Sequence, residues 1–500
     1  MKKIFTLLLV AMTAVVARAT DYIVPVRVVV NDVTTEQLGE FSIVENDGLY
    51  DVNLKNVILD SENGPMGVGN VELKGIQPYQ DGKATLFVTE KEVTITDGDD
   101  PNVVVWMASM LPPVNVLLRG KIEGDLLYMN LYIDLTETMD QIIQVTVGEG
   151  YQMPNPGFEL WHPSDETHVE PDGWHSFETA TGALAAFGGH HLTKSKNAHT
   201  GESCARIYSS SILGIVANGT MTTGRLNADA MIATDPANNA YLDTSMPELD
   251  GAGKPFYIPL YSRPDSIAVW VRFRQGSVNP DHPYANISAV ITDGTYYQDP
   301  EDKVYTNVVA KAKNDKIATT DGEWVRVTVP FVYTENDVEP QAILVTISTN
   351  ADAGQGSDGD EVLVDDIELI YNAKVTGLKI NGQDVPGFSP DVFEYEMELE
   401  QGVTTEDIEV VVEGQSTHVI KDVSFIDSNV CTVMALGGDM KHMSTYVIRE
   451  KGSGTGIRSI KTPAGQSAYY TLDGRQAKTL APGRIYIRRQ ADGTVTKVRL

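Results

Sequence analysis

The chain alternates short apolar runs with turn-forming residues along nearly its whole length. Runs of five to nine apolar or alternating residues are separated by Gly, Pro, Asn and Asp, and long amphipathic stretches of helical period are absent. This spacing is typical of all-β domains. Representative predicted strands are residues 22–30, 124–135, 266–273, 323–333 and 341–348. The predicted fold class is therefore all-β.

Length and composition set the scale of the molecule and exclude some partners. At about 150 residues per domain, a chain of 500 residues should form several folded units. Hydrophobic content of 42% with 21% charged residues is typical of globular proteins. The chain has 38 basic and 69 acidic residues, a formal charge of -31, which repels phosphate backbones and anionic membranes. We therefore expect no nucleic-acid partner.

The N-terminal residues have the pattern of a secretory signal peptide. Two lysines precede an apolar run over residues 4–16, and Ala17-Arg18-Ala19 forms a small-x-small cleavage pattern. A membrane anchor is the alternative, but the run is shorter than the ~18 residues that a spanning helix needs, and no later segment is long enough. Residues 1–19 are thus predicted to be removed, leaving a mature chain that begins near Thr20. We expect export to the cell surface, the extracellular space or the periplasm.

Cysteine usage fits this compartment without supporting a disulfide framework. The chain has two cysteines, Cys204 and Cys431, which lie in regions predicted to be different domains. A bridge between them is the alternative to two free buried thiols, and we predict the thiols. No cysteine follows the apolar run of the signal peptide, which excludes a lipid anchor at that place.

Two β-rich segments flank a large central one. Residues 20–150 contain about eight predicted strands and end in the hairpin "GKIEGDLLYMNLYI". This segment resembles the calycin-like β-barrel domains of secreted Bacteroidetes proteins, which hold a small ligand or are filled by their own side chains. Residues 374–450 begin with "INGQDVPGFSPDVFEY" and resemble Ig-like or cadherin-like spacer modules. The resemblance implies a small sandwich that separates and presents other domains.

The last fifty residues differ in charge from the rest of the chain. A Gly/Ser linker over residues 451–456 precedes "YTLDGR", "GRIYI" and a basic, valine-rich end. Residues 451–500 resemble the C-terminal tails of Bacteroidetes secreted proteins. That resemblance implies a small β domain read by the type IX secretion machinery, whereas a hairpin that packs on its neighbour is the alternative.

Residues 151–373 carry four marks in order. They are "NPGFELW", "PDGW", "HTGESCARI" and "VDDIEL". This order is similar to galactose-binding-like jelly rolls, and the whole segment resembles a Bacteroidetes β-sandwich family abbreviated PCMD, whose name refers to carbohydrate metabolism. The resemblance implies a jelly-roll fold and a carbohydrate-related role.

The paired aspartates of "VLVDDIEL" raise a question of charge. A period of two places Leu363, Asp365, Ile367 and Leu369 on one face, so that one carboxylate lies among core residues. Such a carboxylate costs several kcal/mol unless it is paired, and Ca²⁺ is a common partner in secreted proteins. Hydrogen bonds from the backbone or from Arg206 are the alternative.

The resemblance to jelly rolls gives the calcium hypothesis a ligand set. In related domains a structural ion joins the first and last strands through the "GFE" glutamate, nearby carbonyls and a "DD" aspartate. On this sequence the set corresponds to Glu159, the carbonyl of Gly157, and Asp365 or Asp366. We therefore predict a structural Ca²⁺ ion as the cofactor.

Two strands repeat a Trp-x-Arg unit that the alternation places on an outer face. Carbohydrate sites combine aromatic faces with polar side chains. If the two strands are neighbours, two indoles and three guanidiniums form a platform suited to a polysaccharide, and the guanidiniums favour an anionic one. A β-layer or loop that covers the indoles is the alternative. The predicted carbohydrate-binding residues are Trp270, Arg272, Arg274, Trp324 and Arg326.

No catalytic motif stands out. Adjacent His190 and His191 point to opposite sides of a strand and do not by themselves make a zinc site. Ser-His-Asp order, phosphate-binding loops and zincin motifs are absent from the sequence. A glycosidase needs two carboxylates in a cleft, which the sequence does not single out. We therefore predict a secreted or surface glycan-binding protein; the alternatives are a glycan hydrolase and a structural or adhesive protein without sugar specificity.

Overall fold

The structure, a computed structural model, is all-β, as predicted. It describes residues 18–30, 33–59, 66–136, 141–212, 214–400, 402–424, 430–451, 468–470, 485–489 and 495–499. The named helical elements in these ranges are short 3₁₀ turns: η1 Ala108–Met110, η2 Phe177–Thr179, η3 Ala185–Phe187 and η4 Thr405–Asp407. Within the described ranges, no helix is both long and apolar enough to cross a membrane.

The first sheet has nine antiparallel strands and curls into a nearly closed barrel. Its strands are β1 Arg18–Val30, β2 Val33–Asn46, β3 Leu49–Leu59, β4 Met66–Ile76, β5 Pro78–Asp81, β6 Ala84–Val93, β7 Val114–Glu123, β8 Leu126–Asp134 and β9 Ile142–Val147. They follow the order β4-β3-β2-β1-β9-β8-β7-β6-β5, in which β1 and β9, the first and last strands along the chain, pair directly. At the edges of the sheet, β4 lies beside β6. Buried Val28, Phe41, Phe87 and Ile133 belong to the cluster that fills the interior.

The predicted signal peptide meets this barrel at β1. Residues 1–17 lie outside the described part of the chain. The predicted cleavage point after Ala19 falls just inside β1, and the pairing of β1 with β2 continues to Val30. Cleavage there would therefore leave nearly all of β1 in the mature chain.

The central region, residues 151–373, is built from many short strands. They are β10 Trp161–Pro163, β11 Val169–Pro171, β12 Leu192–Ser195, β13 Cys204–Tyr208, β14 Ser210–Ile212, β15 Ile215–Ala217, β16 Thr220–Thr222, β17 Arg225–Ala228, β18 Asn238–Leu242, β19 Ile258–Pro259, β20 Ser266–Arg274, β21 Ala285–Thr292, β22 Tyr297–Asp299, β23 Val308–Ile317, β24 Val325–Pro330, β25 Val332–Tyr333, β26 Ala342–Ser348 and β27 Glu361–Ile370.

Two of the central sheets pack face to face as a β-sandwich. The front sheet has the order β12-β13-β27-β20-β24, and the back sheet has the order β16-β26-β21-β23-β25, with β19 also paired to β26. Alternate residues of both sheets, among them Val269, Ile287, Val345 and Val364, form the core between them. A side sheet, β17-β18-β22, lies over the outer face of the back sheet, where Leu226, Leu242, Val290 and Leu344 share a second cluster.

A smaller sandwich follows. Its strands are β28 Lys374–Ile380, β29 Gln383–Asp384, β30 Glu394–Met397, β31 Ile408–Glu413, β32 His418–Ser424, β33 Val430–Leu436 and β34 Met443–Glu450. The sheets β29-β28-β31 and β30-β34-β33-β32 enclose a core that includes Val375, Tyr395, Val433 and Tyr446. Cys431 is buried here and Cys204 is buried in the central sandwich, both as free thiols, as predicted.

The small sandwich packs against the barrel. His418 bridges the two, because its Nδ1 lies 2.9 Å from Asp81 Oδ2 and its Nε2 lies 3.1 Å from Lys121 Nζ. Asn130 of the barrel donates to the carbonyl of buried Asp439 at 2.8 Å. Gln152, at the start of the central region, donates to the Asp439 carboxylate at 3.1 Å. The segment predicted as a spacer therefore makes direct contacts with both other parts.

The chain ends in a three-stranded antiparallel sheet. Its strands are β35 Ala468–Tyr470, β36 Ile485–Arg489 and β37 Val495–Arg499, in that order. They agree with the predicted small C-terminal β tail. Most of the predicted linker, residues 452–456, lies outside the described residues.

Candidate functional site

The two ends of the central sandwich meet, as their motifs predicted. The amide of Ile367 donates to the carbonyl of Pro156 at 2.9 Å, which joins "NPGFE" to "VDDIEL". A Cβ placed on Gly157 would lie 3.7 Å from Asp366 Oδ1 and 4.0 Å from Asp365 Oδ1, so the turn lies directly against both carboxylates. We call this contact the clasp.

The predicted face assignment in the last strand was wrong. The core-facing residues are Val362, Val364, Ile367 and Leu369, so the parity of the strand changes at the two aspartates. The pairing with β20 shifts register at this place, and Asp366 has a left-handed φ of 43°. A β-bulge therefore inserts one residue and resets the alternation. Asp365 is fully buried, but it lies outside the sandwich core.

Backbone amides hold the Asp365 carboxylate. Its Oδ2 accepts from the amides of His199 at 2.7 Å and Thr200 at 3.3 Å, and its Oδ1 accepts from the amide of Asp366 at 2.9 Å. Burial, reinforced by the neighbouring Asp366 carboxylate, raises the pKa of Asp365 to about 7 in spite of these donors. Arg206, the side-chain donor proposed from the sequence, instead forms an ion pair with Glu361.

The other predicted calcium ligands are also hydrogen-bonded. Asp366 accepts from His199 Nδ1 at 2.6 Å and from Thr200 Oγ1 at 2.7 Å. Glu159 accepts from the amides of Glu202 at 2.8 Å and Ser203 at 3.1 Å, and its second oxygen accepts from Ser203 Oγ at 3.1 Å.

Calcium would therefore compete with existing donors. Each carboxylate oxygen of Glu159, Asp365 and Asp366 accepts at least one hydrogen bond. In the described part of the chain, these three carboxylates do not form a group whose ligand atoms all lie within 4.8 Å of one another. The donor set fits a hydrogen-bonded clasp better than the six to eight oxygen ligands that Ca²⁺ takes.

The two Trp-x-Arg strands are neighbours in the front sheet. Trp270 of β20 pairs directly with Arg326 of β24. The imidazole of His199 stacks on the indole of Trp270, with ring centroids 3.9 Å apart and planes at 17°, and Trp324 meets the same imidazole edge-on at 5.7 Å. The structure thus brings the two indoles together, and a side chain from the loop before β13 covers one of them.

Two of the three arginines of this face are ion-paired. Arg326 pairs with Glu368, and Arg274 Nε lies 2.9 Å from Glu361 Oε1. Glu361 also pairs with Arg206. Arg272 is half-buried on the same face. We call the residues Trp270, Arg272, Arg274, Trp324 and Arg326 the Trp-Arg face.

A different surface, on the outer face of the back sheet, holds a cavity. The side chains that alternate with core residues on this sheet are polar at one end. Thr220, Ser348 and Asn286 form one row across β16, β26 and β21. Thr346 and Ser288 begin a second row that continues to Lys313. At the other end the same face is apolar and the side sheet covers it, so the polar end forms the floor of a cavity.

The cavity has a volume of about 590 Å³. Volumes of about 300–1,000 Å³ are usual for small-molecule sites. Its walls come from the side sheet, from the loops around residues 216–218 and 350–354, and from the segment 177–188. Phe177 and Phe187 of that segment line the cavity, and Phe187 is 62% exposed. A polar floor therefore faces a partly aromatic wall.

Several amide side chains line this cavity. Six asparagines do so: Asn218, Asn227, Asn238, Asn239, Asn286 and Asn350. In three of them, Asn227, Asn238 and Asn350, the amide oxygen accepts and the amide nitrogen donates hydrogen bonds that hold the loops.

The other three asparagines have an unused acceptor. Asn218, Asn239 and Asn286 each have a buried Oδ1 without a hydrogen-bond partner. A buried acceptor without a partner costs about 1–3 kcal/mol. The three residues lie on the floor and on two walls of the cavity, while these oxygens themselves are shielded from solvent.

Sequence reasoning did not find this cavity. A signal was present, because "ANISAVIT" and "AILVTIS" place Asn286, Ser288, Thr346 and Ser348 opposite the core face. The sequence does not show which loops rise around those residues.

Comparisons with known proteins give only distant structural likenesses. No family model matches the chain, and no curated protein matches it. Among solved structures, one from Bacteroides thetaiotaomicron, provisionally described as a glycoside hydrolase, has 16% identity and a TM-score of 0.34, and the match covers 49% of this chain and 79% of that one. Another, of carbohydrate-binding modules from the β-sandwich superfamily, has 10% identity and a TM-score of 0.20, covering 64% and 91%. Likeness at this level carries no argument about function.

Proposed function

We propose that this protein binds a carbohydrate in the cavity on the outer face of the back sheet. The observation that carries the proposal is the meeting of six asparagine side chains with two phenylalanine side chains around one cavity of about 590 Å³. Sugars present hydroxyl donors at their edges and CH groups on their faces, which match amide oxygens and aromatic rings respectively.

The scarcity of acidic side chains in the cavity favours binding over hydrolysis. Among the described residues that line it, Asp299 is the one carboxylate. Most glycosidases need two carboxyl groups, about 5–10 Å apart, on either side of the scissile bond. A hydrolase therefore stays the second candidate, and an adhesive protein without sugar specificity stays the third.

The Trp-Arg face is the other place where a glycan could bind. The two indoles are adjacent, which supports the sequence-based prediction. The stack of His199 on Trp270 and the ion pairs of Arg274 and Arg326 weigh against it, because a ligand would have to displace these contacts.

A glycan array followed by calorimetry of the best ligand tests the proposal. We expect Asn286→Ala and Asn239→Ala each to weaken binding by up to about tenfold, since a lost hydrogen bond is worth about 0.5–1.5 kcal/mol. The pair Trp270→Ala and Trp324→Ala should leave affinity unchanged. The opposite result would move the site to the Trp-Arg face. Absence of any binding would leave the adhesive alternative, and turnover of a bound glycan would support the hydrolase.

We further propose that the protein acts outside the cytoplasm, at the cell surface or in secreted form. The signal-peptide pattern and the C-terminal tail support this proposal, with the secretion machinery as the partner of the tail. Fractionation of cells that produce the full chain, compared with a chain lacking residues 451–500, tests it. Retention of the truncated chain is the expected result, and equal export would contradict the role of the tail.

Calcium at the clasp remains a proposal that rests on the resemblance to jelly rolls. Adding CaCl₂ to chelator-treated protein should raise the melting temperature if the ion binds the folded state. The rise should be lost in Asp366→Asn. An unchanged melting temperature in the native chain would leave the hydrogen-bonded clasp as the full account.

A further inference from the structure

Three side chains far apart in sequence converge outside the sites described above. His168 lies in the loop before β11, Glu178 lies in η2, and His190 lies just before β12. One ligand atom from each lies within 4.8 Å of the other two. All nine histidines and both cysteines of the chain lie in the described ranges. Within those ranges, His168, Glu178 and His190 are the one group of three or more side chains that could bind a metal ion together.

The two imidazoles lie parallel to each other, with the Glu178 carboxylate beside both of them. The imidazoles of His168 and His190 are stacked, with centroids 3.3 Å apart and planes at 18°. His168 Nδ1 lies 3.9 Å from Glu178 Oε2, and His190 Nδ1 contacts the other oxygen of the same carboxylate. Asp165 Oδ2 lies 2.8 Å from His168 Nδ1 and is a third carboxylate oxygen beside that ring, outside the group of three. Ligand atoms bound to one zinc at about 2 Å lie about 3.3 Å apart, so the two imidazoles would have to rotate out of their stack for both lone pairs to point at one ion.

The position of Glu178 is fixed by a buried carboxylate behind it. Glu170 is fully buried, and its Oε1 accepts from the amide and the hydroxyl of Ser176, both at 2.6 Å. Ser176 Oγ in turn accepts from the amide of Glu178 at 3.2 Å. The Glu178 side chain is 8% exposed, whereas that of His190 is 49% exposed. The cluster therefore has a rigid inner ligand and an open outer side.

Electrostatics favour a cation at this point. Imidazole nitrogens that lack a proton and carboxylate oxygens are all acceptors, so bringing four of them together requires a shared positive charge or N–H donors. Hydrogen bonds from two Nδ1–H tautomers are the alternative to a metal ion. A site with two histidines and one glutamate that is open on one side is a known arrangement of protein zinc ligands.

We propose that His168, Glu178 and His190, with Asp165 or water in the fourth position, bind a divalent transition metal, with Zn²⁺ as the best fit. Imidazole and carboxylate ligands favour Zn²⁺ over Ca²⁺ or Mg²⁺, which prefer oxygen alone. The site is independent of the clasp and of the carbohydrate proposal.

The place of the metal gives it a structural consequence. Glu178 and His190 flank the segment 179–189, which contributes Leu184, Phe187 and Gly188 to the cavity wall. Binding both ends to one ion would close this segment into a short loop anchored at His168. Such cross-links reduce the conformational freedom of the segment they enclose.

Calorimetry with ZnCl₂ on the full chain, produced without a histidine tag and treated with a chelator, tests the proposal. We expect about one equivalent to bind, and we expect His168→Gln and His190→Gln each to weaken binding at least about tenfold, since even partners of metal ligands contribute about 10–100-fold. His282→Gln is the matched control, because His282 Nδ1 lies 2.7 Å from Asp352 in an ion pair of the same type outside the cluster. The affinity of this control variant for Zn²⁺ should equal that of the native chain.

A second measurement needs no variant. Co²⁺ added to the native chain should give the strong visible absorption of a four-coordinate ion with nitrogen and oxygen ligands, and Zn²⁺ should abolish it. No binding of either metal, or binding that persists unchanged in His168→Gln and His190→Gln, would overturn the proposal and leave a hydrogen-bonded histidine cluster. If the variants fail to fold, the spectrum of the native chain decides.

Discussion

The outer faces of the two central sheets differ in whether their polar side chains have partners. On the front sheet, Arg274 and Arg326 are neutralised by Glu361 and Glu368, and Trp270 is covered by His199. On the back sheet, Asn286 leaves a buried oxygen without a partner at the floor of a cavity.

This difference separates contacts that stabilise the fold from groups that await a ligand. Paired charges and stacked rings satisfy one another, so a ligand gains little by replacing them. A buried acceptor without a partner lowers stability by about 1–3 kcal/mol. Residue type favoured the front sheet as a sugar site, whereas hydrogen-bond satisfaction favours the back sheet.

Filling the cavity should have the largest effect. Thr346→Trp places an indole on the cavity floor, and we expect glycan affinity to fall roughly a hundredfold, about 3 kcal/mol of binding free energy. Thr328→Trp is the matched change on the exposed face of the front sheet and should leave affinity unchanged. Calorimetry with the array-selected glycan measures both. Weaker binding in Thr328→Trp alone would reverse the comparison.

Replacing an unpartnered amide should stabilise the fold while harming binding. We expect Asn286→Leu to raise the free energy of unfolding by about 1–2 kcal/mol, because it removes a buried acceptor that has no donor. Asn350→Leu should lower it, since the Asn350 side chain donates to the carbonyl of His282 and accepts from the amide of Asp352. Thermal melting of both variants tests the contrast, and equal shifts would contradict it.

Replacing Glu361, the carboxylate that Arg206 and Arg274 share on the front sheet, should instead destabilise the fold. Burial by itself raises the pKa of Glu361, but hydrogen bonds from Arg274 and Arg206 outweigh it and lower the pKa below its usual value near 4.5. The carboxylate therefore contributes stability above that pH, and the contribution is lost as pH falls through the lowered pKa.

Glu361→Gln should accordingly lower the free energy of unfolding by about 1 kcal/mol at pH 7, a value reduced by the exposure of both arginines. The difference from the native chain should shrink as pH falls below 4.5. Glu339→Gln is the control, because Glu339 is 81% exposed and lies 3.9 Å from Arg263. Melting curves measured across pH decide, and a difference that grows toward low pH would refute the pairing.

The smallest expected effect belongs to Arg326. Arg326→Ala removes an exposed ion pair with Glu368, which should cost about 0.5 kcal/mol or less. Glycan affinity should not change. Loss of affinity in this variant would restore the Trp-Arg face as the binding site.

Much of the fold could be predicted from the sequence because strand periodicity is local. The all-β class follows from short alternating runs, and the buried free thiols were predicted from the small number of cysteines. The meeting of "NPGFE" with "VDDIEL" was implied by the resemblance to jelly rolls. The face of Asp365 could not be predicted in the same way, since the bulge at Asp366 depends on pairing with β20. A rule of period two fails wherever one residue is inserted into a strand.

The candidate sites were harder to predict. Trp270 and Trp324 were correctly brought to one face, but the sequence could not show that His199, about seventy residues before Trp270, would stack on it. The histidine pair at residues 190–191 was judged a poor metal site because the two side chains diverge. His191 is indeed buried, whereas His190 meets His168 and Glu178 from other loops.

The sequence by itself determined the strand-rich character, the acidic charge that disfavours nucleic acid, and the residues that could bind a sugar or a metal. These properties depend on composition and on neighbours within a few residues. Only the tertiary structure decided which polar groups are satisfied. Glu361 is paired, the Asn286 oxygen is not, and His168, Glu178 and His190 come together from separate segments. Whether a polar group has a partner depends on which residues the packing brings close to it. Those residues can be far apart along the chain, so the sequence alone does not show the pairing.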